Sequence, residues 1–148
     1  INVGHIALCE TDRHGNCVLL KTIPMNLTNK TRNQRKHIIR NTAKKAVLES
    51  VRSNKPLIIE RVDFKQKKMN MRYENKSHNK ILSEFAYKEI TESLKSRCRK
   101  EKAAYKEINP AYTSRIAKDK YMKCMGCSIH MAASYVITRR GCGYIDTI

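Results

Sequence analysis

Several signatures of common protein classes are absent from this sequence. No segment is apolar enough to cross a bilayer. No glycine-rich phosphate loop, G-x-S-x-G motif or H-E-x-x-H motif occurs, which argues against P-loop nucleotide binding, nucleophile-elbow hydrolases and zinc proteases. The 6 cysteines lack the dense spacing of a disulfide scaffold, and we interpret them as reduced intracellular thiols.

Acidic side chains are also few. The sequence holds 13 Asp and Glu against 31 Lys and Arg, which gives a formal net charge of +18 at pH 7. This imbalance indicates a polyanionic partner, with nucleic acid favoured and an acidic membrane surface as the alternative. At 148 residues and 41% hydrophobic content, the chain has the size and composition of one globular domain.

Local patterns in the first half predict strands around one helix. Residues 2–9 and 17–23 are apolar enough for strands, and the turn between them, which contains Gly15 and Asn16, predicts an antiparallel hairpin. Residues 30–53 repeat apolar side chains at spacings of three and four, which predicts a helix capped by Thr31 or Asn29. A short apolar run follows Pro56 and predicts a buried strand.

The second half continues the alternation. We predict a helix over residues 81–102, a strand over 104–108, an irregular basic segment over 111–127 and a helix over 129–140 capped by Ser128. Strands alternating with helices after a hairpin predict an α/β fold with a mixed sheet and flanking helices. This order fits the ribonuclease-H-like fold, and other mixed folds fit it as well.

Glu60 ends the buried strand, and Asp63 follows three residues later. In open α/β sheets, the carboxyl ends of strands are where ligands bind. Glu60 is therefore either a metal ligand or the ion-pair partner of a nearby lysine or arginine. Residues 65–80 form a basic segment with little apolar content, which is either a solvated face or a nucleic-acid contact.

Cys124 and Cys127 form a single C-x-x-C motif, with His130 three residues further on. A structural zinc site needs four ligands, and the remaining cysteines supply no second pair at metal spacing. The two thiols are therefore interpreted as ordinary cysteines or a degenerate zinc knuckle, and zinc is not expected. A thioredoxin-like redox pair near a helix N-terminus is a further alternative.

Four stretches carry a resemblance to a known family. They are residues 1–7 (INVGHIA), 57–64 (LIIERVDF), 109–114 (NPAYTS) and 130–141 (HMAASYVITRRG). Together they resemble the RuvC nuclease domain of TnpB (OrfB-type) proteins, which are transposon-encoded and related to type V CRISPR effectors. The resemblance covers nearly the whole chain and implies a single ribonuclease-H-like (RuvC) domain over residues 1–148, with a degenerate zinc-ribbon region at 111–127.

The resemblance also implies an activity and a site. Family members are RNA-guided DNA endonucleases that use Mg²⁺ and three acidic residues, in a bacterial or archaeal cytoplasm. Glu60 matches the middle acid, and the first would precede Ile1. His130 occupies the position of the third acid, with Asp119 as another candidate. The residues expected to hold phosphates are Lys65, Lys67, Lys68, Arg72, Arg139 and Arg140.

Departures from the family pattern leave three functions open. The chain starts at Ile1 inside a predicted strand, so we expect a fragment that lacks N-terminal parts. With two of the three acids not found, the first hypothesis is an impaired DNA endonuclease that binds DNA and guide RNA. The second is a nuclease-dead nucleic-acid-binding protein, and the third is an inactive transposon remnant. His130 also has a simpler interpretation, as a helix N-terminal residue without a metal role.

Overall fold

The structure is a computed structural model that describes residue 1, residues 4–61 and residues 84–147. It is a mixed α/β protein, as the sequence predicts. The strands are β1 (His5–Thr11), β2 (Cys17–Pro24), β3 (Leu57–Glu60) and β4 (Tyr105–Ile108). The helices are α1 (Arg32–Ser53), α2 (Glu84–Lys100), α3 (Thr113–Ile116), a π-helical turn (Ala117–Tyr121), α4 (Met122–Met125) and α5 (Ile129–Gly141).

The four described strands form two separate two-stranded sheets rather than the single mixed sheet expected from the sequence. β1 and β2 form the predicted antiparallel hairpin, with Ile6 opposite Ile23. β3 and β4 are parallel, and Glu60 lies opposite Ile108 at their carboxyl ends. Helix α5 contacts β1, β3 and β4, so side-chain packing on this helix joins the two sheets.

Helix α1 begins and ends at local signals in the sequence. The Thr31 hydroxyl accepts a hydrogen bond from the backbone N–H of Gln34, and the Gln34 side chain accepts one from the backbone of Thr31. This capping box satisfies two donors that the helix start leaves unpaired. Asn54 ends the helix in the left-handed conformation, with φ 53°.

The main core lies between α1, α2 and the strands. Helix α1 buries Ile39, Ala43, Ala46 and Val47 along one face, as the apolar spacing predicts. Ile90, Leu94 and Cys98 of α2 and Leu57 and Ile59 of β3 complete this core. The polar face of α1 is thereby left at the surface.

Residues 111–127 are largely helical, which corrects the prediction of an irregular segment. Ile116 and Ala117 are buried against Ala132, Ala133 and Val136 of α5, and this second small core holds the short helices in place. Three lysines and an arginine in this segment gave it the basic character from which an irregular segment was predicted. Helix α5 begins at the predicted cap, because the Ser128 hydroxyl accepts a hydrogen bond from the Met131 N–H.

Candidate functional site

Glu60 is the last residue of β3, at the carboxyl end of the parallel pair. Its side chain is 13% exposed, and its carboxylate accepts a hydrogen bond from the terminal ammonium of Ile1, with which it forms an ion pair. The Ile1 side chain packs on the main core. Ile1 therefore meets the end of β3 at the Glu60 carboxylate.

His130 lies in the first turn of α5, and its ring contacts the ring of His5 at the start of β1. The ring centroids are 5.0 Å apart and the planes are inclined by 65°. Burial lowers the pKa of His5 below its usual value of 6.5, and the nearby His130 lowers it further. A neutral imidazole is the form that accepts hydrogen bonds and binds metal ions. His5 was not identified from the sequence, because no local pattern connects it to His130.

A cavity of about 1440 Å³ brings these groups together. Its wall includes Ile1, His5, Glu60 and His130, together with residues 109–114, which belong to the family-like NPAYTS stretch. The volume exceeds the 300–1,000 Å³ typical of small-molecule pockets because the cavity extends along both sheets, α1 and α5. The structure thus places Glu60 and His130, the two predicted catalytic positions, on one cavity. Asp119 is exposed and is not among its lining residues.

Mg²⁺, the ion that the resemblance implies, prefers several oxygen ligands. Glu60, His5 and His130 offer one carboxylate and two imidazoles, a set better suited to softer divalent ions. Within residues 4–61 and 84–147, no group of three or more His, Cys, Asp or Glu side chains is arranged to hold a metal ion. These residues alone therefore do not fit a complete Mg²⁺ site.

Other carboxylates of the same cavity are neutralised by cations. Glu10 lies 3.0 Å from the Lys55 ammonium, and Glu49 lies 3.0 Å from the Arg52 guanidinium. Hydrogen bonds from Lys21 and Arg52 hold the pKa of Glu49 below its usual range. These two acids are therefore engaged in ion pairs. The ion-pair alternative that the sequence left open concerned Glu60, which pairs with the Ile1 nitrogen instead of a lysine or arginine.

Arg139 makes several contacts inside the protein. Its Nε donates to the Asp146 carboxylate over 2.9 Å, and Nη1 donates to the Gly15 carbonyl over 3.1 Å. The guanidinium also lies over the rings of Tyr121, Tyr135 and Tyr144 at 4.8–5.9 Å. These contacts fix the C-terminal segment and the hairpin turn on α5. The expected phosphate contact of Arg139 stays a prediction.

Arg140 is the second predicted phosphate contact on α5. Its Nη1 donates to the carbonyl oxygens of Asn109 and Ala111, so the guanidinium supports the segment that lines the cavity. The contact to phosphate stays a prediction here as well. Four further predicted contacts lie outside the described residues, as does Asp63: Lys65, Lys67, Lys68 and Arg72.

The cysteines of the C-x-x-C motif lie at the end of α4 and just beyond it. Cys124 is exposed, and Cys127 packs partly against the second core. A second thiol pair, not identified from the sequence, is Cys9 with Cys17 across the hairpin, with sulfur atoms 3.7 Å apart. Burial, followed by the nearby Cys17, raises the pKa of Cys9 above its usual range. In the sequence, only the predicted hairpin indicated that Cys9 and Cys17 lie near each other.

Comparison of the chain with protein-family models, with curated proteins and with solved structures found no match. Among the described helices, none combines the length and the apolar character needed to cross a membrane. Glu60 and His130, which line the same cavity, are therefore the functional candidates among the described residues.

Proposed function

We propose that this chain is a RuvC-like domain of a transposon-encoded protein that acts on DNA, with Glu60 as its retained metal-binding acid. The supporting observation is the position of Glu60 at the carboxyl end of β3, on the cavity that also includes His130. Strand ends of this kind hold ligands in α/β proteins. The order of hairpin, α1 and parallel β3–β4 pair is compatible with a ribonuclease-H-like fold.

The Ile1 contact supports this proposal further. In a chain that carries an aspartate before Ile1, the Ile1 nitrogen is a neutral amide instead of the ammonium that now contacts Glu60, and the aspartate bonded to it would begin beside the Glu60 carboxylate. The family pattern has its first catalytic aspartate at this position. Two neighbouring carboxylates would provide the oxygen ligands that Mg²⁺ prefers. We therefore propose Mg²⁺ as the cofactor only for a chain that carries this aspartate, with guide RNA as the further partner that the resemblance implies.

Cleavage assays test the proposal directly. One chain carries a single aspartate on the Ile1 nitrogen, and its matched control carries an asparagine there. We expect Mg²⁺- or Mn²⁺-dependent cleavage of labelled single-stranded DNA by the aspartate chain alone, and loss of cleavage with Glu60→Gln. Circular dichroism establishes that all variants are folded. Cleavage that survives Glu60→Gln would show that another site performs the reaction.

A nuclease-dead nucleic-acid-binding protein is the second candidate. It is favoured by His130 at the position of an acid and by the lack of a three-ligand metal cluster in the part of the chain that the structure describes. This candidate requires that the chain extended by one aspartate folds and binds DNA in a salt-sensitive way but does not cleave it. Cleavage that depends on Glu60 excludes it.

A further inference from the structure

We propose that Cys9 and Cys17 form a site of reversible oxidation, at which a low-molecular-weight disulfide such as oxidised glutathione converts the two thiols into one protein disulfide. The two residues lie on β1 and β2, the strands of the hairpin. Their sulfur atoms are in contact at 3.7 Å and must approach by about 1.7 Å to reach the S–S bond length of about 2.05 Å. The inference concerns these thiols alone and does not depend on the proposed function.

Hydrogen bonds from α5 hold the hairpin around this contact. The Gly15 carbonyl, in the turn between the two cysteines, accepts a hydrogen bond from the Tyr135 hydroxyl over 2.6 Å. The Cys9 carbonyl accepts one from the Thr138 hydroxyl over 3.3 Å. Reacting atoms that are already held together lose less entropy when a bond forms between them. The anchored hairpin therefore favours a bond between Cys9 and Cys17 over bonds to more distant thiols.

The two thiols differ in accessibility, and this difference assigns their roles. Cys17 is exposed, whereas Cys9 is half-buried. Burial raises the pKa of the Cys9 thiol, and the nearby Cys17 raises it further, so Cys9 is held in its neutral form. The attacking species in thiol–disulfide exchange is the thiolate, and it must be accessible to the incoming disulfide. We therefore assign the first attack to Cys17 and the second to Cys9.

The oxidation consists of two exchange steps. The Cys17 thiolate attacks one sulfur of oxidised glutathione, the S–S bond of glutathione breaks, and the first glutathione leaves as a thiolate that takes up a proton from water. The Cys9 sulfur then attacks the Cys17 sulfur of the mixed disulfide, and its proton passes to the second departing glutathione. In total the two protein thiols lose two electrons and two protons, and one glutathione disulfide becomes two glutathione thiols.

The C-x-x-C cysteines offer competing reactions. The Cys124 thiol is directed to the carbonyl oxygens of Lys120 and Tyr121, each 3.3 Å from its sulfur. Burial, followed by the charge of Cys17, raises the pKa of Cys127, so the Cys127 thiol lies within electrostatic range of Cys17. Cys127 is therefore the competing partner for Cys17 that an experiment has to exclude.

Peptide mapping of the oxidised protein tests the proposal. The folded, unmodified chain is incubated with oxidised glutathione, the remaining thiols are blocked, and a tryptic digest is analysed by mass spectrometry without reduction. Cleavage after Arg13 separates the two cysteines, so their disulfide joins the peptides of residues 1–13 and 14–21. Cys124 and Cys127 share the peptide of residues 124–139, which identifies any bond to them. We expect the link between 1–13 and 14–21 to be the main disulfide product, and dithiothreitol to restore both thiols.

Single substitutions test the order of the two steps. Cys9→Ser should stop at the mixed disulfide, with glutathione retained on Cys17. In Cys17→Ser, the adduct on the half-buried Cys9 should form at least about tenfold more slowly. Cys124→Ser/Cys127→Ser is the matched control, which removes two thiols and should leave the link between Cys9 and Cys17 unchanged.

Thermal melting checks that the variants are folded. The oxidised unmodified protein should melt at a higher temperature than its reduced form, because a cross-link lowers the entropy of the unfolded chain. This difference should be missing in Cys17→Ser.

A main product that joins Cys17 to Cys127, or Cys124 to Cys127, would overturn the proposal. Two free thiols at Cys9 and Cys17 after the incubation would overturn it as well, as would a link that forms only in urea-unfolded protein. An oxidised protein that melts at a lower temperature than the reduced protein would show that the folded hairpin opposes the bond. Because no readout involves DNA or cleavage, failure of this proposal and failure of the proposed function are distinguishable.

Discussion

The imidazole rings of His5 and His130 lie edge to face, with their centroids 5.0 Å apart. This contact connects the start of β1 to the first turn of α5 beside the cavity that includes Glu60. Both groups carry a charge when protonated, so their proximity disfavours double protonation. The contact is therefore expected to make the stability of the protein depend on pH near neutrality.

We expect stability to fall as the pH drops below 6.5, the usual pKa of His5. Burial, followed by the His130 charge, makes the pKa of His5 lower in the folded state than in the unfolded state. The unfolded state therefore binds more protons in this window, and the stabilisation is lost as the pH falls from 6.5 through the folded pKa. Urea midpoints between pH 7.5 and 5 measure this effect.

Substitution of each histidine in turn separates the effect of burial on the His5 pKa from the effect of the His130 charge. His5→Asn should remove this part of the pH dependence. His130→Asn should raise the pKa of His5 only in part, because burial is the larger cause. NMR titration of the His5 ring measures that shift. A pKa for His5 at or above 6.5 in the unmodified protein would contradict the prediction.

The ion pair between Arg139 and Asp146 is expected to stabilise the C-terminal segment. Asp146 is 8% exposed and also accepts a hydrogen bond from the Tyr121 hydroxyl over 2.7 Å. Asp146→Asn should cost about 1–3 kcal/mol, because a largely buried guanidinium loses its charged partner. Urea denaturation at pH 7 measures the change. Asp119→Asn, at an exposed carboxylate, serves as control and should change stability by less than about 0.5 kcal/mol.

The same pair predicts loss of stability in acid. Burial alone would raise the pKa of Asp146, but hydrogen bonds from Arg139 and Tyr121 lower it below its usual value of 3.8. Its stabilisation is therefore complete above the unfolded pKa and is lost as the pH falls through the folded pKa. In Asp146→Asn this component of the acid transition should be missing. An identical acid transition in both proteins would assign the effect to other carboxylates.

The capping box of α1 gives a third prediction. Thr31→Ala removes the acceptor for the Gln34 N–H and should cost about 1 kcal/mol, whereas Thr31→Ser should restore most of it. Urea midpoints at pH 7 compare the variants. Thr28→Ala changes an exposed threonine whose side chain does not cap the helix, and it should be nearly neutral. Equal effects at both positions would mean that the cap hydrogen bond contributes little.

Features set by short-range chemistry were predictable from the sequence. Thr31 and Ser128 cap the helices they were expected to cap, and the apolar spacing identified the buried face of α1. The β1–β2 hairpin followed from its turn residues. The sequence predicted correctly that Glu60 ends a strand, because a proline comes directly before the apolar run that forms it. In each case the determinant lies within a few residues of the feature.

Features set by long-range packing were not predictable. The division into two sheets depends on how α5 packs against β1 and β3, and no local pattern encodes this contact. The helical segment after Pro110 relies on three buried residues, Thr113, Ile116 and Ala117, in a segment that also carries three lysines. The charge of Arg139 suggested a phosphate contact. Its position over three tyrosine rings depends on how distant parts of the chain fold together, so the sequence did not predict it. The His5–His130 contact belongs to the same category.

Gly141, at the end of α5, is expected to tolerate no side chain. A Cβ there would lie 2.6 Å from Cγ1 and Cγ2 of Ile58 in β3, so Gly141→Ala should cost about 1–3 kcal/mol through overpacking. Ile58→Ala removes the obstructing atoms, and in that background Gly141→Ala should cost much less. Urea denaturation of the four proteins gives this coupling energy.

Gly4→Ala is the matched control, because a Cβ at that glycine meets no atom within 4 Å. It should leave stability nearly unchanged. Additive costs of Gly141→Ala and Ile58→Ala would show that the helix end relaxes away from β3 instead of clashing with it. The coupling energy therefore reports how rigidly the packing of Gly141 on Ile58 holds the C-terminal end of α5 against β3.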